Sequence, residues 1–151
     1  MTERSSVVRG QSSDRGSALV EAAMTIPILL LITVGIFEVG RVYQTWQVVT
    51  NAAREGARIA VIPNTSAATV SALVHAYMTN GQLSQAATAT VAVNQAASLN
   101  VNGTAVSASQ VTVDYPFDFM MLRPVAKLVV PNTAAGQSFT MRATALMRNE
   151  Q

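Results

Sequence analysis

The chain has 151 residues, of which half are apolar and only 12% are charged, and its formal net charge is +2. The charged fraction is well below the roughly 25% of ordinary soluble domains, so the composition does not favour a typical cytosolic protein. The ten Lys and Arg residues are scattered, which argues against a nucleic-acid partner. With no cysteine, disulfide bonds and thiolate metal sites are excluded.

Residues 1 to 16 form a polar, basic leader. They contain four serines and three arginines, with few apolar side chains. Such a segment buries too little apolar surface to order itself, so we predict that it is flexible.

Residues 17 to 37, SALVEAAMTIPILLLITVGIF, contain a single ionisable side chain, Glu21. As a helix they would extend about 30 Å, which is the thickness of the hydrocarbon core of a bilayer. A secretory signal would have a shorter apolar core and a small-residue cleavage site behind it, whereas Glu38 and Arg41 follow here. We therefore predict a membrane anchor. The three arginines before it favour a cytoplasmic N-terminus and an extracytoplasmic head.

The helical pattern continues beyond the membrane. Apolar residues recur at steps of three and four to about Ile62, which predicts a continuous amphipathic helix. Pro63 disfavours helical geometry in the residue before it and should end this helix. Ser66 can cap a second helix that reaches Asn80 and Gly81.

The remaining sequence alternates apolar and polar residues, as β-strands do. Strands are predicted at residues 88 to 93, 110 to 115 and 138 to 147, with a turn at 100 to 103 and a short helix at 123 to 130. The predicted fold class is α+β, in which a long N-terminal transmembrane helix continues into a small head with a second helix and an antiparallel sheet. The predicted domains are the leader (1 to 16), the transmembrane and amphipathic helix (17 to 62) and the head (63 to 151).

Glu21 and Pro27 are unusual residues for a membrane span. A carboxylate inside a span costs on the order of 3 kcal/mol, so Glu21 should either reach the aqueous interface or have a cationic partner. Pro27 cannot donate a hydrogen bond to the carbonyl of Ala23, so it should bend or loosen the helix. A simple kink and a site of local melting are both consistent with this residue.

A second motif lies in residues 51 to 58, NAAREGAR. Ala52, Gly56 and Ala60 form a stripe of small residues that permits close helix packing. Glu55 and Arg58 are three residues apart and can form an ion pair on the helix surface.

The segments RGSALVEAAMTIPILLLITVGIFEVGR and TNAAREGARIAV resemble the TadE-like family, the pseudopilins of tight-adherence (Tad or Flp) pilus systems. In such pilin-like proteins, a basic leader ending in glycine is the arrangement that type IV prepilin peptidases recognise. The resemblance implies a pilin-like fold, cleavage between Gly16 and Ser17, and docking of Glu21 onto the new terminal amine of a neighbouring subunit. Without the flanking residues, Gly16 would be read as a flexible joint.

The function implied by this resemblance is that of a pseudopilin or minor pilin in the bacterial inner membrane, which supports pilus assembly, adhesion and biofilm formation. Its expected partners are the prepilin peptidase and other pilins, with no nucleic acid and no small-molecule substrate. Ala22 stands where main pilins have tyrosine, and the head is substantial. A role as the main subunit of the pilus fibre is therefore less favoured for this protein. The alternative is an uncleaved, single-span, membrane-anchored envelope binding module.

Catalysis has little support in the sequence, so we expect neither an enzyme nor a cofactor. His75 is the only histidine and is expected to be structural or solvated. Asp114 and Asp118 could offer oxygens to calcium, but solvated carboxylates are the favoured interpretation. The run from Met120 to Leu122 is expected to pack against the head rather than to form a groove for a partner.

Overall fold

The computed structural model of the protein describes residues 11 to 149. It confirms the predicted α+β class, with a long N-terminal helix, a second helix and an antiparallel sheet. In chain order the elements are α1 (Gln11–Ala60), α2 (Ala67–Asn80), a 3₁₀ turn (Ala86–Thr88), β1 (Thr90–Val101), β2 (Thr104–Phe117), α3 (Leu122–Val129) and β3 (Phe139–Arg148).

Helix α1 begins at Gln11, six residues before the predicted start at Ser17. Extending an existing helix costs far less than nucleating one, so a long apolar helix can recruit neighbouring polar residues. Residues 11 to 16 of the predicted flexible leader are therefore helical, and residues 1 to 10 lie outside the described residues. The helix continues through Pro27 and ends at Ala60, two residues before the predicted end.

The chain forms two compact units. The described part of the first comprises residues 11 to 38 and 120 to 136, and that of the second comprises residues 39 to 119 and 137 to 149. The second unit therefore contains residues 39 to 60 of α1 together with α2 and the sheet. Helix α3 belongs to the first unit.

In the second unit, the three strands form an antiparallel sheet in the order β1-β2-β3. Strands β1 and β2 are joined by the two-residue loop Asn102-Gly103, in which both residues have positive φ (51° and 85°). This is the type I′ geometry that matches the twist of a hairpin, and asparagine followed by glycine is its preferred sequence. Strand β3 pairs with β2 from Phe139, opposite Phe117, to Arg148, opposite Ala108.

The core of the second unit lies between one face of the sheet and the two helical segments. Alternate residues of β2 from Val111 to Phe117 are buried, as expected for a strand with one apolar face. They belong to one cluster with α1 and α2 side chains, including Val49, Ala53, Ala57, Val70, Val74 and Met78. The end of α1 is capped from the sheet, because the Ala60 carbonyl accepts a 3.2 Å hydrogen bond from Gln95 Nε2 and lies 3.2 Å from Ser109 Oγ.

Candidate functional site

Residues 15 to 37 of α1 form an exposed apolar surface. None of residues 15 to 37 is buried, and Leu19, Met24 and Ile36 each expose about seven tenths of their surface. Soluble monomers rarely leave so large a contiguous apolar surface in water. In the part of the chain that the structure describes, α1 is the one helix that is long and apolar enough to cross a membrane. Its length and exposure suggest a membrane anchor.

Gly16, Ser17 and Glu21 lie together near the start of this surface. All three are exposed, and Ser17 and Glu21 are four residues apart, which places them on one face of the helix. A side chain added at Gly16 would meet no atom within 4 Å. Glu21 has no hydrogen-bond or ion-pair partner among the described side chains.

Pro27 lies within α1, and the helix is not interrupted there. Its nitrogen carries no hydrogen, so one backbone hydrogen bond of the helix is missing at this turn. Six residues later, Thr33 Oγ1 donates a 2.8 Å hydrogen bond to the carbonyl of Leu29. The simple kink and the site of local melting both remain compatible with this arrangement.

The small-residue stripe lies in the core of the second unit. Ala52, Gly56 and Ala60 are all buried. A Cβ added at Gly56 would lie 2.6 Å from Val74 Cγ2 of α2 and 3.2 Å from Val111 Cγ1 of β2. The absence of a side chain at Gly56 thus allows α2 and the sheet to approach α1 closely, and the packing partners of the stripe include residues of the same chain.

Glu55 and Arg58 form a two-point ion pair on the surface of α1. Arg58 Nε donates to Glu55 Oε2 at 2.9 Å, and Arg58 Nη2 donates to Glu55 Oε1 at 2.6 Å. These hydrogen bonds lower the pKa of Glu55 and raise that of Arg58. Because the guanidinium is largely exposed, the pair should contribute little to stability.

Glu38, the first residue after the apolar run, has a role that the sequence analysis did not identify. Its side chain is completely buried, and its Oε1 accepts hydrogen bonds from the backbone N–H groups of Met120 (2.8 Å), Met121 (2.6 Å) and Leu122 (3.4 Å). These groups lie at the start of α3, whose own N-cap residue, Met121, makes no side-chain capping bond. A carboxylate suits this position because it satisfies unpaired N–H groups and complements the positive end of the helix. Glu38 therefore caps α3, although it lies 82 residues before Met120 in the sequence.

The methionines at the start of α3 do not pack as predicted. Met120 and Met121 are exposed, whereas Leu122 is half-buried, so the prediction that this run packs against the head is wrong for the two methionines. The physical reason is that Glu38 holds the run by its backbone N–H groups, which needs no burial of the side chains.

The polar residues considered for catalysis or metal binding have other contacts. Arg142 on β3 donates two hydrogen bonds to Asp114, of 2.6 Å and 2.9 Å, which lower the pKa of that carboxyl group. Asp118 accepts a hydrogen bond from Gln85 Nε2, and His75 Nδ1 lies 2.8 Å from the carbonyl oxygen of Ala86. Within the described residues, no group of three or more His, Cys, Asp or Glu side chains could hold a metal ion.

Comparison with known proteins gives one family match. The family model described as TadE-like protein matches residues 16–58, a range that begins at Gly16 and includes Glu21, the apolar segment, and Ala52 and Gly56 of the stripe of small residues. No curated protein matches the chain, and no solved structure matches it. We conclude that the chain carries a TadE-like segment, which confirms the resemblance predicted from its two motifs and suggests a protein associated with a Tad pilus.

Proposed function

We propose that the protein is a non-enzymatic pseudopilin or minor pilin of a Tad-type pilus, anchored in the inner membrane by α1 with its N-terminus in the cytoplasm. A prepilin peptidase removes residues 1 to 16, and the mature protein supports pilus assembly and, through it, adhesion and biofilm formation. The observation that carries the proposal is the TadE-like match that begins at Gly16, directly before the exposed apolar part of α1, where Glu21 has no partner among the described side chains.

The environment of Gly16 supports processing there. A peptidase needs an extended backbone, so the helix must open around the bond that is cut. Glycine in a helix interior costs about 1 kcal/mol relative to alanine, and the exposed Gly16 has no neighbouring atoms to displace. Opening α1 at Gly16 is therefore easier than opening it in the alanine- and leucine-rich turns that follow.

We expect the protein isolated from its native membrane to begin at Ser17, as measured by mass spectrometry of the intact chain. Replacing Gly16 with valine should abolish this processing, because the side chain obstructs a narrow active site. The matched control is Gly35→Val, since a side chain at Gly35 also meets no atom within 4 Å but lies 19 residues away from the bond. A chain that retains residues 1 to 16 in the native membrane would refute processing and favour the uncleaved membrane-anchored binding module.

Cleavage would place a protonated amine on Ser17, and Glu21 is the carboxylate that such an amine on a neighbouring subunit can bind. Two opposite charges 4 Å apart attract by about 4 kcal/mol at an effective dielectric constant near 20. This attraction would fix the depth at which one α1 helix docks against the next.

We expect Glu21→Gln to leave membrane insertion intact and to lower pilus yield, because it keeps the shape of the side chain and removes its charge. Glutamine can still accept a hydrogen bond from the amine, but a neutral hydrogen bond is about half as strong as a charge-assisted one. Loss of about 2 kcal/mol of the attraction would weaken docking roughly thirtyfold. Yield is measured by quantifying sheared pili, and insertion by membrane fractionation. Glu55→Gln, which makes the same change on the surface of α1 outside the apolar segment, serves as the control. Equal yields from both variants would contradict the docking role of Glu21.

A further inference from the structure

The segment from Met120 to Pro131, called the α3 segment below, exposes an unusual number of large apolar side chains. The exposed fractions are 64% for Met120, 45% for Met121, 75% for Leu128 and 53% for Val130. These side chains are contributed by only eleven consecutive residues, from 120 to 130. A short segment that leaves so much apolar surface uncovered indicates a surrounding other than water.

The same segment carries a row of positive charge. Arg123 and Lys127 are both exposed and lie four residues apart, so they occupy one side of α3, while Pro124 and Leu128 occupy the adjacent row. The sequence has no aspartate or glutamate between Asp118 and Glu150. An apolar row beside a basic row is the pattern of helices that lie in the headgroup layer of a membrane, with the apolar side chains towards the acyl chains and the cations at the phosphates.

Hydrogen bonds place the α3 segment at the end of the apolar part of α1. Phe37 is the last residue of the predicted membrane span, and Glu38 follows it directly. Glu38 Oε1 accepts from the backbone N–H groups of Met120 and Met121 at 2.8 Å and 2.6 Å. If residues 17 to 37 cross the hydrocarbon core, the start of α3 lies at the boundary between hydrocarbon and headgroups.

The segment also has a fixed shape. Gly136 has a φ of +76°, and a Cβ added to it would lie 2.6 Å from the backbone nitrogen of Arg123 and 2.8 Å from its Cα. Only glycine fits this backbone conformation and this close approach. The chain after α3 therefore returns against the first turn of the helix, the same end of α3 that Glu38 binds.

We propose that the α3 segment is a membrane-surface element that rests on anionic phospholipid at the outer end of the α1 span. The inference rests on the part of the proposed function that has α1 crossing the membrane, and it is independent of cleavage and of pilus assembly. A protein partner could also cover the methionines and Leu128. The lipid surface is favoured because the segment carries a basic row and because its hydrogen bonds to Glu38 place it next to the predicted span. The segment would fix the depth and rotation of α1 in the bilayer by adding a second contact beside the span.

The test uses single cysteines, which are unique labels because the natural chain has none. The full chain carrying Leu128→Cys is labelled with an environment-sensitive fluorophore and reconstituted in vesicles of phosphatidylcholine with or without phosphatidylglycerol. Lipids with brominated acyl chains then report by quenching whether the probe reaches the bilayer. Leu30→Cys, in the middle of the apolar segment, is the positive control, and Ala72→Cys, an exposed position on α2, is the negative control.

We expect the probe at residue 128 to be quenched several-fold more than the probe at residue 72, and more strongly when phosphatidylglycerol is present. Arg123→Gln combined with Lys127→Gln should remove the dependence on phosphatidylglycerol. Quenching at residue 30 without quenching at residue 128 would overturn the proposal while leaving the anchor intact. Absence of quenching at residue 30 would overturn the anchor as well. Shielding of residue 128 from water only after other pilins are added would assign the surface to a protein partner and also overturn the proposal.

Discussion

Replacing Glu38 with alanine is expected to release the start of α3. The substitution removes the acceptor of three backbone N–H groups, and hydrogen bonds to a charged group contribute about 1.5 to 3 kcal/mol each. Loss of one such contribution should speed hydrogen exchange at Met121 and Leu122 by roughly ten- to a hundredfold. Exchange of the full chain in detergent micelles, read by mass spectrometry of peptides covering residues 120 to 129, measures the effect.

Two variants show whether this effect belongs to the cap. Glu38→Gln keeps an oxygen that can accept hydrogen bonds from the N–H groups. The hydrogen-exchange rate of residues 120 to 129 in this variant should therefore lie between the rates in the wild type and in the alanine variant. Glu55→Ala removes a carboxylate from the same helix whose partner is a largely exposed arginine, and it should leave the peptides of α3 unchanged. Exchange at residues 120 to 129 that is the same in Glu38→Ala as in the wild type would contradict the capping role.

The second large effect is expected at Gly56. Leucine there must displace Val74 and Val111, because even a Cβ would lie 2.6 Å and 3.2 Å from their methyl groups. Overpacking of a well-packed core costs typically 1 to 3 kcal/mol, and four added carbon atoms place Gly56→Leu at or above about 3 kcal/mol. Unfolding of the full chain in detergent, followed by the fluorescence of its single tryptophan, Trp46, measures the loss.

Alanine substitutions give a matched comparison for this prediction. Gly56→Ala and Gly40→Ala both replace a glycine inside α1, and both should gain up to about 1 kcal/mol of helix propensity. A side chain at Gly40 meets nothing within 4 Å, so Gly40→Ala should be neutral or stabilising. Gly56→Ala should be less stable than Gly40→Ala by roughly 1 to 3 kcal/mol. Equal stabilities would mean that α2 and the sheet adjust to a side chain at Gly56 without cost.

The elements with strong local signals were predicted well. Ser66 caps α2 as expected, with its Oγ accepting a 3.1 Å hydrogen bond from the N–H of Thr69. The predicted turn at residues 100 to 103 contains the observed loop at Asn102 and Gly103. The N-cap and the hairpin loop are each determined by residues within a few positions of one another, so both can be predicted from the local sequence.

Strands β1 and β2 are longer than predicted, for reasons that local alternation does not show. Strand β1 was expected to end at Val93, but it continues to Val101, past an irregularity between Asn94 and Ala97 that shifts its register with β2. Such a bulge breaks the period of two that identifies a strand. Strand β2 extends through Pro116 because its pairing with β1 ends at Asp114, so that the proline stands where one side of the strand is an open edge.

The parts of the candidate site that depend on distant residues could not be predicted. The sequence shows Glu38 as a carboxylate after an apolar run, but the backbone N–H groups that it binds lie more than 80 residues further along the chain. Similarly, Ala52, Gly56 and Ala60 predict that something packs closely against α1, but the spacing does not reveal that Val74 and Val111 are among the partners. A local pattern indicates that a group needs a contact, whereas the fold determines which contact it finds.

The position of β3 in the chain has a consequence for biosynthesis. Met141, Ala143 and Ala145 of β3 belong to the same buried cluster as Val49 and Ala57 of α1, so this core cannot close until β3 has been made. At roughly 5 to 20 residues per second, the ribosome needs about 4 to 16 s to proceed from Ala60 to Phe139. The apolar segment of α1 emerges well before that interval ends. If residues 17 to 37 cross the membrane as proposed, a chain made in this order offers this segment to the insertion machinery while the head is still unfolded and able to pass through a narrow channel.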